Sequence, residues 1–200
     1  MNATHIDDPL FMLVAAHQQL RTHLHNLVRA GRLFAVGKGD FRLVPQLSQA
    51  LKFLQTDVAL HARDEEDSLH PRLRGKLRDP QSHFAYLLQH IEKDHAELAE
   101  LQEKAGEAAR ALIRQVPLES FPACENIKQP LVEFRQLVNQ LYRIYTSHML
   151  VEERDIFPAI QVIFTPQERA ELAAEMCERR AANGARFTVE PVVRSGISID

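Results

Sequence analysis

Two windows, 87 positions apart, constrain this chain more than any other feature. Residues 61–71 read HARDEEDSLHP and residues 148–158 read HMLVEERDIFP, with His, Glu, Glu and Pro at the same four places. Each window lies in a run whose apolar residues step by three and four, the spacing of one helix face. In both, a His and a Glu stand four residues apart, so they share the face that should bury leucine.

The same stepping predicts four long helices. The first runs from Asp8 to about Ala30 with the stripe Leu10, Leu13, His17, Leu20, Leu24, Leu27. GRLFAVGKGD, with three glycines, reads as the following loop. The second helix begins near Val44-Pro45 and carries Leu47, Leu51, Leu54, Val58, His61, Glu65, Leu69, then bends or stops near Pro71. The third runs from Pro80 to Gln115 through Phe84, Leu88, Ile91, His95, Leu98, Ala105, Ala109, Leu112. VPLESFPACEN is a loop. The fourth helix runs from Asn126 to Phe164, bending near Pro158, through Phe134, Leu137, Leu141, Ile144, His148, Glu152, Ile156. A short fifth helix opens at Thr165, with Pro166 in its first turn and Glu168 three residues on, the pattern of a capping box. The expected fold is an all-α, up-down-up-down four-helix bundle with this fifth helix, spanning residues 1–182 as one domain. A β-prone tail, 183–200, is left to pack on the bundle, to meet a partner or second copy, or to stay mobile.

Each long stripe is interrupted by one histidine: His17, His61, His95 and His148. Two add a glutamate one turn later, Glu65 and Glu152. An ionised carboxylate in a dry core costs several kcal/mol unless something offsets it. Two carboxylates and four imidazoles converging between helices are accounted for by a pair of cations, with the carboxylates bridging. Imidazole with carboxylate and no thiolate suits iron best, with manganese or zinc as the alternatives. Six protein ligands around two metals leave coordination positions for O2, NO, peroxide or water.

The remaining residues are assigned more ordinary roles. Glu66 and Glu153 turn about 100° off the stripe, toward water or a ligand imidazole. His70 packs near the bundle end, His23 and His25 lie on the surface, and Asp64 and Asp67 belong to a solvated face. Tyr145 and Tyr142 are core residues within reach of the site, and Phe11, Leu13, Val58, Ile91 and Met149 form its apolar wall.

A net charge of −3 gives no large drive toward nucleic acid or anionic membranes. The acidic N-terminus is no secretory signal, and no apolar run approaches the ~20 residues of a membrane span. Cys124 and Cys177 form no disulfide or thiolate-metal pattern, so a reducing cytoplasm is the simplest compartment.

The order AAHQQL, LHARDEED, KDHAEL and SHMLVEERDIFP resembles the hemerythrin-like (HHE cation-binding) family, over about residues 8 to 164. The resemblance implies a non-heme di-iron site with His17, His61, His95 and His148 as terminal ligands and Glu65 and Glu152 as bridges. Oxygen-carrying hemerythrins have a fifth histidine where this chain has Ile91, and His90 lies about 140° round the helix from that position's partner, His95. The set is therefore closer to the four-His, two-Glu site of the iron–sulfur-cluster-repair proteins, which also have a short cysteine-bearing N-terminal domain, whereas here 16 residues precede His17 and none is cysteine. The resemblance implies binding or sensing of a small diatomic or reactive oxygen or nitrogen species. The alternatives are a di-iron enzyme consuming peroxide or NO or assisting cluster repair, and a metal-dependent regulatory module.

Overall fold

A computed structural model describes residues 8–115 and 128–184. The loop expected at VPLESFPACEN, Cys124 and nearly all of the tail fall outside the described residues. The described residues are helical throughout, joined by short turns, with no strand among them.

Helix α1 (Pro9–Ala35) starts at Asp8, whose Oδ1 accepts from the Leu10 amide at 2.9 Å, and has proline in its first turn. It runs five residues past the expected Ala30, because Gly31 serves packing rather than a turn. A Cβ there would lie 3.0 Å from the Arg135 side chain. The helix stops at Gly37 (φ 69°), where the Lys38 amide reaches the Leu33 carbonyl and the Gly37 amide that of Phe34, a Schellman ending that needs a left-handed residue. A 3₁₀ turn (Phe41–Leu43) leads into α2 (Val44–Asp64).

The expected bend at Pro71 takes another form. A π turn (Glu65–Leu69) joins α2 directly to α3 (His70–Lys76), and a second (Glu152–Ile156) joins α5 (Lys128–Val151) to α6 (Phe157–Ile163). Proline lacks an amide hydrogen and its ring crowds the carbonyl four residues back. Widening the preceding turn by one residue accommodates that misfit while the helix continues, and π turns of this kind cluster at functional sites. Helix α4 (His83–Arg114) is capped by Ser82, and α7 (Pro166–Ala182) opens on the expected Thr165–Glu168 capping box.

Helix α1 packs against α2 and α5, and α4 against α5 and α2. The apolar interior falls into two clusters. One holds Leu20, Leu24, Leu54, Val58, Leu98, Phe134, Leu141 and Met149. The other holds Leu10, Leu13, Leu69, Leu88, Ile91, Ile156 and the inner face of α7. Each stripe histidine falls in sequence between members of these two clusters, so the polar residues form a layer between two dry cores. No helix among the described residues is long and apolar enough to cross a membrane.

Candidate metal centre

All six predicted residues meet in that layer. His17, His61, Glu65, His148 and Glu152 are buried, and the His95 side chain is only 8% exposed. One set of ligand atoms, from His17, His61, Glu65 and Glu152, lies within 4.8 Å of one another; a second, from Glu65, His95, His148 and Glu152, does the same. Both carboxylates belong to both sets.

The individual distances give the reason. Glu65 directs Oε1 to His61 Nε2 (3.3 Å) and Oε2 to His95 Nε2 (3.3 Å). Glu152 directs Oε2 to His17 Nε2 (3.1 Å) and Oε1 to His148 Nε2 (3.2 Å). Within each set the two imidazoles face one another, Nε2 to Nε2, at 3.0 Å for His17–His61 and 3.1 Å for His95–His148. Neither carboxylate has a well-directed hydrogen-bond donor on either oxygen. Imidazole nitrogens and carboxylate oxygens converging this closely in a buried layer fit a cation between them, and imidazole with carboxylate fits iron, manganese or zinc.

A second ring of carboxylates holds the outer imidazole nitrogens. Glu153 Oε1 bonds His17 Nδ1 at 2.8 Å, and its other oxygen takes Arg21 at 2.8 Å. Glu66 Oε1 bonds His95 Nδ1 at 2.7 Å. Each second glutamate of a window thus serves a histidine on another helix. Asp94 Oδ2 stands 3.5 Å from His148 Nδ1, while His61 Nδ1 has no partner. Such contacts fix the ring and its tautomer and leave Nε2 free for a metal.

Protonation follows from these contacts in the metal-free protein. Burial works against the charged imidazole, but Glu152 and Glu153 more than offset it at His17, raising it to about 9. At His148 burial is again outweighed, chiefly by Glu152 and then Asp94, and the value rises to about 10. His95 is raised against burial by Glu65. Burial dominates at His61 and drops it to about 4. Glu152 is held well below the usual carboxylate range by His148 and His17 despite its burial.

Several secondary assignments change. Asp64, expected on a solvated face, is fully buried and paired with Arg179 and Arg180 of α7, and Ser68 receives Arg179 at 2.8 Å. The signal for this contact, two arginines more than 110 residues away, is invisible to helical periodicity. His23 is half-buried and stacks on Phe53 with ring centroids 4.2 Å apart, so it is not a surface residue. Phe11 and Tyr142 are exposed (37% and 42%) and form no part of the wall or the site. His70 is buried as expected, lies parallel to the His95 ring and bonds Glu92 at 3.3 Å; burial lowers it to about 4.

A cavity of about 80 Å³ adjoins the layer, room for a diatomic molecule or a few waters. The four histidines line it together with apolar Leu20, Val58, Leu98 and Met149, and its other polar residues are Tyr145 and Gln102. Gln102 Nε2 donates to Tyr145 Oη, which leaves the tyrosine hydrogen for the cavity. Burial raises Tyr145 above its ordinary value, so it stays a donor.

No curated protein and no solved structure matches the chain. The model of the hemerythrin HHE cation-binding domain matches residues 8–160. With a buried His/Glu cluster that can hold metal inside the matched span, the chain belongs to the hemerythrin HHE cation-binding family.

Proposed function

We propose that the layer holds two iron ions in an up-down-up-down four-helix bundle, and that the protein binds or senses a small diatomic or reactive oxygen or nitrogen species beside them. His17 and His61 would serve one ion and His95 and His148 the other, with Glu65 and Glu152 bridging. The observation that carries this reading is the pair of buried carboxylates, each offering one oxygen to each imidazole pair and neither hydrogen-bonded. Bound iron would supply open coordination positions and electrons to a small ligand. The chain's own part is to exclude bulk water with Leu20, Val58, Leu98 and Met149, to hold the imidazoles through Glu66 and Glu153, and to offer the Tyr145 proton to what enters.

The test uses protein reconstituted with ferrous iron under nitrogen and exposed in turn to O2, NO and peroxide. The expected result is two irons per chain and an optical change that reverses when the gas is removed. Fewer irons, or spectra indifferent to all three, would sink the reading. The buried donor at Tyr145 also supports an enzymatic alternative, consumption of peroxide or NO. Repeated turnover with peroxide and a reductant, rather than one stoichiometric event, would favour it.

A further inference from the structure

The two imidazole pairs match in their inner contacts and differ in their outer ones. His95 Nδ1 has Glu66 at 2.7 Å, and this carboxylate has no arginine or lysine partner among the described residues. His148 Nδ1 has Asp94 at 3.5 Å, within ion-pair reach but not a directed hydrogen bond, and the other neighbour of Asp94 is the exposed His90 ring at 4.0 Å. Two carboxylates therefore stand behind this pair. Behind the other pair, Glu153 serves His17 but is shared with Arg21, which cancels its charge. His61 Nδ1 is buried without a partner. Asp94 immediately precedes His95, and the residue that immediately precedes His17 is Ala16, a methyl group at the corresponding place.

The stacked rings differ in kind but add no charge to the contrast: His95 lies parallel to His70, whose partner Glu92 is itself paired with Arg74, whereas His17 stacks on the phenyl ring of Phe157 at 5.4 Å. A carboxylate on the far nitrogen makes an imidazole a stronger donor to a metal, and losing such a partner costs about 10–100-fold in affinity. Net negative charge nearby acts in the same direction through simple attraction.

We infer that the two metal positions are unequal: the His95–His148 position fills first and holds its ion more tightly, while the His17–His61 position is the exchangeable one. This rests on the reading of the layer as a two-metal centre. It gives Asp94 and Arg21 the role of positioning residues that set the affinity difference without touching metal. A half-loaded protein then carries its one ion at His95–His148. The other position can take a different divalent cation from solution, so that mixed-metal centres form in a defined arrangement.

The experiment is calorimetric titration of the metal-free protein with Co²⁺, followed also by the visible cobalt bands. Two steps are expected, the second about 10–100-fold weaker. Repulsion between two ions gives two steps even at a symmetric pair, so the variants carry the test. Asp94→Asn should weaken the first step by about tenfold or more, and Arg21→Gln should strengthen the second alone. Both changes are conservative in shape, and circular dichroism of the metal-free variants checks that they fold. One class of two equal ions, or Asp94→Asn acting only on the second step, overturns the inference and leaves the two-metal reading standing. Failure to take up two ions at all overturns both.

Discussion

The window at 61–71 and the window at 148–158 agree in four residues, in the π turn that begins at the first glutamate, and in the pattern of histidines that each glutamate touches. They differ on either side of that shared part. Asp64 in the first stands where the second has Val151, and His70 where it has Phe157. The agreement lies in the residues that face the centre. The difference lies in how each window is fastened to its surroundings, the first by ion pairs to α7 and the second by apolar packing. The two windows thus share a geometry where their side chains converge and differ in their outer contacts.

The largest effect should come from breaking the shared part. Glu65 and Glu152 each offer an oxygen to both imidazole pairs, so Glu65→Ala and Glu152→Ala should each lose both ions of the proposed two-metal centre. His61→Ala and His148→Ala each remove a ligand from one pair only and should retain about one ion per chain, because the other pair stays intact. Elemental analysis of the purified, reconstituted variants checks this. A Glu65→Ala protein that keeps one ion while Glu152→Ala keeps none would show that the bridges are not equivalent.

The divergent part should give the next effect. Asp64→Ala leaves Arg179 and Arg180 without their carboxylate in a buried setting, and breaking a buried pair in this way costs about 3–5 kcal/mol. Val151→Ala, at the matching place, removes two methyl groups from a half-buried site and should cost about 1 kcal/mol. Urea unfolding of the metal-free proteins measures both. Equal costs would mean that α7 is not fastened through Asp64.

These residues also mark what could be read from the sequence. The six centre residues were legible because each breaks an apolar stripe at helical spacing, and a polar side chain on a buried face demands an explanation. The length of α1 was not, because Gly31 looks the same in sequence whether it ends a helix or admits Arg135. The π turns were half legible. Proline six residues after each glutamate announced a disturbance, but whether a helix stops or widens depends on what the next turn packs against, here Leu69, Leu73 and Ile156 in the second core cluster. Asp64 was misread because the cations that bury it come from a helix more than 110 residues away.

The second glutamate of the 148–158 window can be tested by acid. Hydrogen bonds from His17 and Arg21 hold Glu153 at about 2, against the ordinary 4.5. A carboxyl whose folded value is depressed contributes stability above its unfolded value, and loses that contribution as pH falls through 4.5 toward 2. Glu153→Gln should therefore flatten the acid limb of the stability–pH curve of the metal-free protein between those limits, with a smaller effect at pH 7 than Asp64→Ala. Thermal melts at half-unit pH intervals give the measurement. An unchanged acid limb would show that the Glu153–His17–Arg21 contact contributes nothing to the apoprotein.

The smallest effect concerns the cavity, where the repeat again sets unlike residues at matching places, Val58 and Tyr145. Both are buried, at 5% and 3% exposure, so both shape the space, but only the tyrosine brings a hydrogen-bond donor. Tyr145→Phe keeps the ring beside His148 and removes the hydroxyl that Gln102 holds. The loss of one such bond is worth about 0.5–1.5 kcal/mol, both for folding and for a ligand that accepts from Oη. In the iron-loaded protein, azide should then leave roughly two- to twelve-fold faster in stopped-flow displacement, while Val58→Ala enlarges the cavity without removing a donor. If Tyr145→Phe leaves the azide off-rate untouched and Val58→Ala changes it, the wall governs the ligand by size alone and the asymmetry between the two matching places carries no chemical meaning.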